Sequence, residues 1–151
     1  MARGRPVARR PVTTTNRLLA VIDEAAAANR AAAALRDAGF PPEAVTVLEG
    51  DEDADRIDSL GKVRGPLARV RRLLSFTMVD QMVDLAVYEA ALRDGRTVVA
   101  VHARAATDRE RAKRALAAEG AHFMNFFGRF ATEDIARWRG RELPIPRYLR
   151  R

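Results

Sequence analysis

Residues 17–23, Arg-Leu-Leu-Ala-Val-Ile-Asp, are the stretch from which the fold prediction starts. A short aliphatic run with a charge at each end is typical of a buried β-strand. The stretch that follows, 24–38, is mostly alanine, which has the highest helix propensity, and we expect Asp23 to cap this helix. Gly39 stands where a left-handed residue ends a helix. Residues 45–48, Val-Thr-Val-Leu, alternate and predict a second strand.

A second unit of the same kind lies further along the chain. Residues 96–102, Arg-Thr-Val-Val-Ala-Val-His, share the character of the first strand. Thr107 and Glu110 have the spacing of a capping box, and they predict a helix that ends at Gly120. A final strand is predicted at 122–127. Two such β-α-β units predict a four-stranded antiparallel sheet with helices on one face, which is the ferredoxin-like arrangement.

The connection between the two units is longer than a hairpin turn. Residues 49–58 are rich in acids and predict an acidic loop, and residues 61–94 show a helical periodicity that stops at Gly95. We therefore expect an α+β fold, a ferredoxin-like duplicated β-α-β with a helical insertion at 61–94 between the two halves. The predicted domain covers residues 17–135.

The formal net charge of +7 is concentrated at the two ends of the chain. Residues 1–17 carry five arginines and no acid, and the last sixteen residues contribute another +5, which leaves −3 for residues 18–135. We interpret residues 1–16 as a flexible basic arm and residues 136–151 as a basic tail that can reach a polyanion such as DNA or RNA. Because 25 of the 27 basic residues are arginine, a compositional bias of the coding sequence is the alternative explanation.

The composition excludes several classes of protein. The absence of cysteine excludes disulfides, thiolate zinc sites, iron–sulfur clusters and cysteine nucleophiles, and it fits a reducing compartment. No apolar run approaches the roughly 20 residues that a membrane helix needs, so we expect no membrane span. Arginines and prolines within residues 6–11 interrupt the apolar core that a secretory signal requires. We therefore expect no secretory signal.

Arg3-Gly4-Arg5-Pro6 is the most specific short pattern in the two tails. An extended Arg-Gly-Arg segment is thin enough to enter the narrow minor groove of A·T-rich DNA, and these four residues resemble the core of the AT-hook DNA-binding motif. A solvated tail that reads no sequence is the alternative interpretation. The candidate nucleic-acid-binding residues are Arg3, Gly4, Arg5, Arg9, Arg10, Arg147, Arg150 and Arg151.

No pattern in the sequence indicates catalysis. There is no glycine-rich phosphate loop after either strand, no nucleophile elbow and no Walker pattern. Residues 51–55, Asp-Glu-Asp-Ala-Asp, begin like a calcium loop, but Arg56 stands where that loop needs glycine. Asp80 and Asp84 share a helical face, and we interpret them as helix-surface charge. We therefore predict no catalytic residues, no metal and no cofactor.

A second group of candidate residues lies within the predicted domain. His102 falls at the end of one predicted strand and His122 at the start of another, positions from which side chains can meet in a duplicated fold. The phenylalanines of residues 123–130 are interpreted as part of the core or of a dimer interface, with base stacking as the alternative. The candidate ligand or interface residues are Tyr88, His102, His122, Asn125, Phe127 and Arg129.

Several of these segments also carry a family resemblance. They are the strand at 18–23, the helix end Ala38-Gly39-Phe40, Tyr88-Glu89, the segment 95–101, Gly120-Ala121-His122 and Phe127-Gly128-Arg129-Phe130. Over residues 17 to about 135 they resemble the bacterial general-stress or heat-induced stress protein domain. The resemblance implies a small cytoplasmic α+β domain associated with stress, without an established reaction and without catalytic residues to carry over. The Arg-rich arms and the basic stretch 62–72 depart from that domain.

The sequence thus leads us to expect a non-enzymatic, stress-associated binding or assembly module. We expect a dimer that forms through the open face of the sheet or through the helix at 78–94, since helices on one face leave the other face uncovered. A nucleic-acid-binding protein that uses its Arg-rich tails is the alternative. A small-molecule enzyme that uses His102 or His122 is the third possibility.

Overall fold

The computed structural model describes residues 15–57, 78–128 and 132–140. The strands are β1 (Arg17–Ile22), β2 (Val45–Glu49), β3 (Thr97–His102), β4 (His122–Phe127) and β5 (Thr132–Ala136). The helices are α1 (Ala25–Asp37), α2 (Gly50–Ile57), α3 (Met78–Arg93) and α4 (Ala106–Ala118), and a 3₁₀ turn at Pro42–Ala44 precedes β2. No helix among these residues has both the length and the apolar character needed to cross a membrane.

The five strands form one antiparallel sheet in the order β2-β3-β1-β4-β5. β1 lies at the centre, where Arg17 is opposite His102 and Ile22 is opposite Thr97 of β3. The expected α+β fold with an antiparallel sheet is confirmed. β5 was not expected, and it extends the sheet beyond β4, the strand predicted to be the last.

Helices cover both faces of the sheet, so the expectation of helices on one face only is wrong. Alternate residues of β1 point to opposite faces, as a pleated strand requires. Leu18 and its alternate neighbours pack with α1 and α4, whereas Leu19 and Val21 pack with α2 and α3. The sheet face that was expected to be open for dimerisation is therefore covered within a single chain.

Helix α2 replaces the acidic loop that was expected at residues 49–58. Three of its four acids, Asp51, Glu52 and Asp53, occupy the first turn, where negative charge is favourable near the helix N-terminus. Asp53 accepts a hydrogen bond of 2.9 Å from Arg56, and both Ala54 and Ile57 are buried against the sheet. An acidic sequence thus forms a helix here because its few apolar residues lie on the side that faces the sheet.

The expected helix caps are not formed by the side chains named for them. Helix α1 starts after Glu24, which makes no capping hydrogen bond with its side chain, and Asp23 binds other partners instead. Helix α4 starts after Ala105, again without a side-chain cap, so Thr107 lies inside the helix. Packing onto the sheet supplies the stability of these helices rather than capping.

The outer edge of β2 is occupied at both of its ends. The backbone N–H of Val45 donates to the carbonyl of Pro42, and the N–H of Glu49 donates to Asp53 Oδ2 at 2.9 Å. Unpaired backbone groups on an edge strand can pair with another chain, and side-chain or turn contacts of this kind reduce that tendency. The β2 edge is therefore a poor place for a second copy to add a strand.

Candidate functional site

Polar side chains meet at the end of the sheet where β1 stops and β3 and β4 start. Asp23 follows β1, Arg96 precedes β3, and His122 is the first residue of β4. The antiparallel register brings them together, because Ile22 pairs with Thr97 and Val21 pairs with His122. Two residues after β5 complete the group. These five residues are called the strand-end cluster: Asp23, Arg96, His122, Trp138 and Arg139.

His122 is the centre of the strand-end cluster. The residue is only 2% exposed, and both of its ring nitrogens have partners. Nε2 lies 2.7 Å from Asp23 Oδ1, and the backbone N–H of Arg139 donates to Nδ1 at 3.1 Å. Because Nδ1 accepts a hydrogen bond, the ring proton is on Nε2, which donates to the carboxylate. The ring is held in one tautomer and one orientation.

Asp23 also binds the guanidinium of Arg96, whose Nε in turn lies 3.3 Å from Asp94. Partial burial raises the pKa of Asp23, but the hydrogen bonds from His122 and Arg96 outweigh burial and leave that pKa below its usual value. The carboxylate is therefore ionised at neutral pH, as the hydrogen bond from His122 requires.

We predict that Asp23→Asn changes the dependence of stability on pH. Because the pKa of Asp23 is lower in the folded state than the ordinary value of 3.8, the unfolded chain takes up the proton first as the pH falls. The stability that Asp23 contributes is thus present above about pH 4 and is lost below it. Urea unfolding at neutral and acid pH should show Asp23→Asn less stable than wild type at neutral pH, with a smaller difference in acid. Asp37→Asn, at the exposed end of α1, is the control, and a difference that does not depend on pH would contradict the prediction.

Trp138 closes the strand-end cluster from the side of α3. The guanidinium carbon of Arg96 lies 5.0 Å from the centre of the indole ring, and the His122 ring meets it edge-on at 4.7 Å. The Phe123 ring lies 6.1 Å away. Trp138 was not among the residues predicted for a site, because two arginines flank it in a stretch interpreted as a tail. Its one signal was that it is the only tryptophan in the chain.

A second polar group lies inside the protein, between α3 and the sheet. The hydroxyl of Tyr88 is 2.8 Å from the carbonyl oxygens of Leu19 and Phe123 and 2.7 Å from Asn125 Oδ1. Asn125 Nδ2 donates to Asp134 Oδ1 at 2.7 Å. Burial raises the pKa of Tyr88 well above its ordinary value, and the nearby negative charges of Asp84 and Asp134 raise it further. Tyr88 is therefore neutral and serves as a hydrogen-bond donor.

Three of the six predicted ligand or interface residues lie together here. Tyr88 bonds Asn125, and its ring meets Phe127 edge-on at 6.2 Å. All three are buried, so they belong to the core. Phe126 and Phe127 of β4 are buried in the core, and Phe123 is partly buried against it, where a role in the core or in a dimer interface was expected for them.

Two expectations about titratable residues are wrong. His102 is exposed and pairs with Arg17, at the end of the sheet opposite to His122, so the two histidines do not meet. Asp84 is 5% exposed and lies near Tyr88, so it is not helix-surface charge. The burial of Asp84 could not be predicted from the sequence, because the helical period does not show which face of α3 is covered.

The remaining predicted sites lie outside the described residues. Arg129 and all of the candidate nucleic-acid-binding residues fall there, namely Arg3, Gly4, Arg5, Arg9, Arg10, Arg147, Arg150 and Arg151. The side chain of Asp80 and the basic stretch 62–72 do as well. Within residues 15–57, 78–128 and 132–140, no three histidine or carboxylate side chains converge on a point where they could hold a metal ion.

A groove of about 310 Å³ separates α4 from the edge strand β5. Arg109 and Lys113 line it from the helix, and Glu133 and Asp134 line it from the strand. The guanidinium of Arg109 is placed over the Phe126 ring at 4.4 Å. Charges of both signs face each other across the groove, so they favour neither an anion nor a cation.

These features define an α+β protein with an antiparallel sheet, helices on both faces and a polar cluster at one end of the sheet. The chain matches no protein-family model, no curated protein and no solved structure. Its function is therefore inferred from the chemistry of its own residues.

Proposed function

We propose that the chain is a non-enzymatic binding or assembly module. The observation that carries this proposal is the state of His122. A general acid or base needs a group within reach of the substrate, and here one ring nitrogen donates to Asp23 while the other accepts from the Arg139 backbone. The buried hydroxyl of Tyr88 is likewise used to join α3 to the sheet. These interior polar groups stabilise the fold. This favours a role in which the protein acts through its surface.

The association with stress and the cytoplasmic location rest on the resemblance to the general-stress domain. A ferredoxin-like duplication also belongs to this proposal. It is supported by the strand order β2-β3-β1-β4 and by two β-α-β units separated by helical residues. On this interpretation β5 and α2 are additions to the duplicated unit.

The proposed module is a homodimer, and α3 is its proposed contact surface. The sheet itself is a less favourable surface, because its two faces are covered and both ends of the β2 edge are occupied. Sedimentation velocity of the full chain over a range of concentrations tests this directly. A dimer is expected, and a protein that remains monomeric at every accessible concentration would contradict assembly.

Nucleic-acid binding through the tails is the second candidate, and the position of the exposed arginines favours it. Arg137 and Arg139 are exposed just before the basic C-terminal residues, whereas residues 18–135 carry −3 in total. Positive charge that lies outside the net-negative domain can contact phosphates at a distance from the domain's own acids, which would repel them. The resemblance of Arg3-Gly4-Arg5-Pro6 to the AT-hook core adds a preference for A·T-rich duplexes.

We predict how this second candidate would show itself in a binding experiment. Fluorescence anisotropy of labelled A·T-rich and G·C-rich duplexes should give an affinity that falls with salt, with a slope of about 0.9 per phosphate contact. The double variant Arg3→Ala, Arg5→Ala should remove the A·T preference, and Arg30→Ala on α1 is the matched control within the domain. If neither duplex binds near physiological salt, the proposed binding of duplex DNA through the tails is contradicted.

A further inference from the structure

We propose that the hydrogen bond from the Arg139 backbone to His122 is a pH-sensitive latch that holds residues 137–140 against β4. The bond joins an N–H donor to ring nitrogen Nδ1 over 3.1 Å. The latch closes when the ring is neutral and opens when Nδ1 takes up a proton. This device is separate from the proposed assembly function, and its test uses no binding partner.

Residues 137–140 are held to the domain by other contacts besides this bond, and Trp138 packs against the core layer of α2 and α3. The Phe123 N–H donates to the carbonyl of Arg137 at 3.0 Å, and Arg139 Nη2 donates to the carbonyl of Ala121 at 3.1 Å. Trp138 packs against Arg96 and His122. His122 therefore binds this segment twice, through Nδ1 and through its ring.

The chemistry of imidazole makes the latch depend on protonation. Neutral histidine has one acceptor nitrogen, whereas both nitrogens of the protonated ring are donors. With Nε2 committed to Asp23, an added proton must go to Nδ1, where it would face the Arg139 N–H. Two donors pointing at each other repel, so the bond is present at higher pH and is lost as the pH falls.

The groups around His122 allow the ring to accept this proton without leaving its place. Asp23, from the end of β1, remains on Nε2–H and balances the new positive charge. Arg96, from the segment before β3, opposes that charge but is itself paired with Asp23 and Asp94. The Arg139 side chain, from the segment after β5, binds the Ala121 carbonyl and adds a second opposing charge nearby. The carboxylate thus keeps the ring anchored while the Arg139 side of the contact is lost.

The latch lies immediately before a strongly basic part of the chain. Residues 141–151 contain four arginines and one acid. Opening of the latch changes residues 137–140, which precede these basic residues in the sequence, without any change in the sheet.

The single tryptophan provides the measurement. We expect the emission of Trp138 in the full chain to shift to longer wavelength, and its quenching by acrylamide to increase, when the pH is lowered from about 8 to about 5. Far-UV circular dichroism should stay constant over this range, because the change is confined to residues 137–140. His102→Gln, at the opposite exposed end of the sheet, is the matched control and should keep the full pH response.

Two further variants distinguish the latch from simple contact between the two rings. His122→Asn keeps an acceptor near the position of Nδ1 and cannot be protonated, so its tryptophan signal should not depend on pH. Arg139→Pro removes the N–H donor and should give the open signal at both pH values, whereas Arg139→Ala retains the N–H and the pH response. If His122→Asn does not fold, the comparison of Arg139→Pro with Arg139→Ala still decides the question.

Three results would overturn the proposal. One is a fall in tryptophan intensity at low pH while quenching by acrylamide stays the same. That result would mean that the protonated His122 ring quenches Trp138 while the latch stays closed. Another is a pH response in His122→Asn equal to that of wild type. The third is loss of helical signal over the same pH range, which would mean that the whole domain unfolds.

Discussion

Replacement of Tyr88 by phenylalanine is expected to lower the free energy of unfolding by about 1–3 kcal/mol, the usual cost of leaving buried acceptors without a donor. The residue is fully buried, and its hydroxyl lies within 2.8 Å of the Leu19 and Phe123 carbonyls and of Asn125 Oδ1. The single proton of the hydroxyl is donated to one of these oxygens at a time, and its removal leaves that buried acceptor without this donor. Urea denaturation followed by far-UV circular dichroism gives the value directly.

The matched comparison is a double-mutant cycle with Asn125→Leu. Loss of both polar partners should cost less than the sum of the single losses, because an apolar pair leaves fewer unsatisfied groups than either single variant. Tyr88→Ala should cost more, about 3–5 kcal/mol, since it also removes the ring that packs on Phe123 and Phe127. A Tyr88→Phe variant as stable as wild type would show that the hydroxyl contacts contribute nothing net.

The raised pKa of Tyr88 fixes the sign of the effect at alkaline pH. In the folded state the pKa is well above the ordinary value of 10.0, so the unfolded chain loses this proton first as the pH rises. The stability contributed by neutral Tyr88 is present below about pH 10 and is lost above it. Wild type should therefore lose stability in alkali more steeply than Tyr88→Phe.

The strands with aliphatic side chains could be predicted from the sequence, whereas β5 could not. β1 and β3 are short apolar runs, and their type and approximate ends were predicted from hydrophobicity alone. β5 reads Thr-Glu-Asp-Ile-Ala, and as an edge strand it buries little, so it lacks the pattern that reveals a buried strand. α2 was not predicted for a related reason, since its many acidic residues are typical of a loop.

The sequence of β1 indicates that both faces of the sheet are covered by helices, but the fold prediction did not use this signal. A strand with one face in water alternates between apolar and polar residues, but β1 is apolar at every position after Arg17. Such a run indicates burial on both sides. The pairing of His122 with Asp23 and Trp138 could not be predicted in the same way, because it depends on strand register and on a segment beyond β5.

The two helical layers, one on each face of the sheet, are expected to unfold together. Leu92 of α3 and Leu116 of α4 are fully buried on opposite faces of the sheet. We expect Leu92→Ala and Leu116→Ala each to lower the free energy of unfolding by about 2–5 kcal/mol, the range for a buried leucine. Because β1 contributes alternate residues to both layers, loss of one layer exposes the strands that hold the other. Circular dichroism and tryptophan emission should therefore give one coincident transition in both variants.

A different result would change the proposed mode of assembly. If Leu92→Ala produced an early transition that Leu116→Ala lacked, the α2 and α3 layer would open independently of the sheet. The sheet residues Leu19, Val21 and Phe127 would then become exposed, and they would form an apolar surface of the kind that mediates association. A concentration-dependent increase in mass under those conditions would indicate that the dimer forms through the sheet face and not through α3. Coincident transitions without such an increase would keep the sheet inside a single chain.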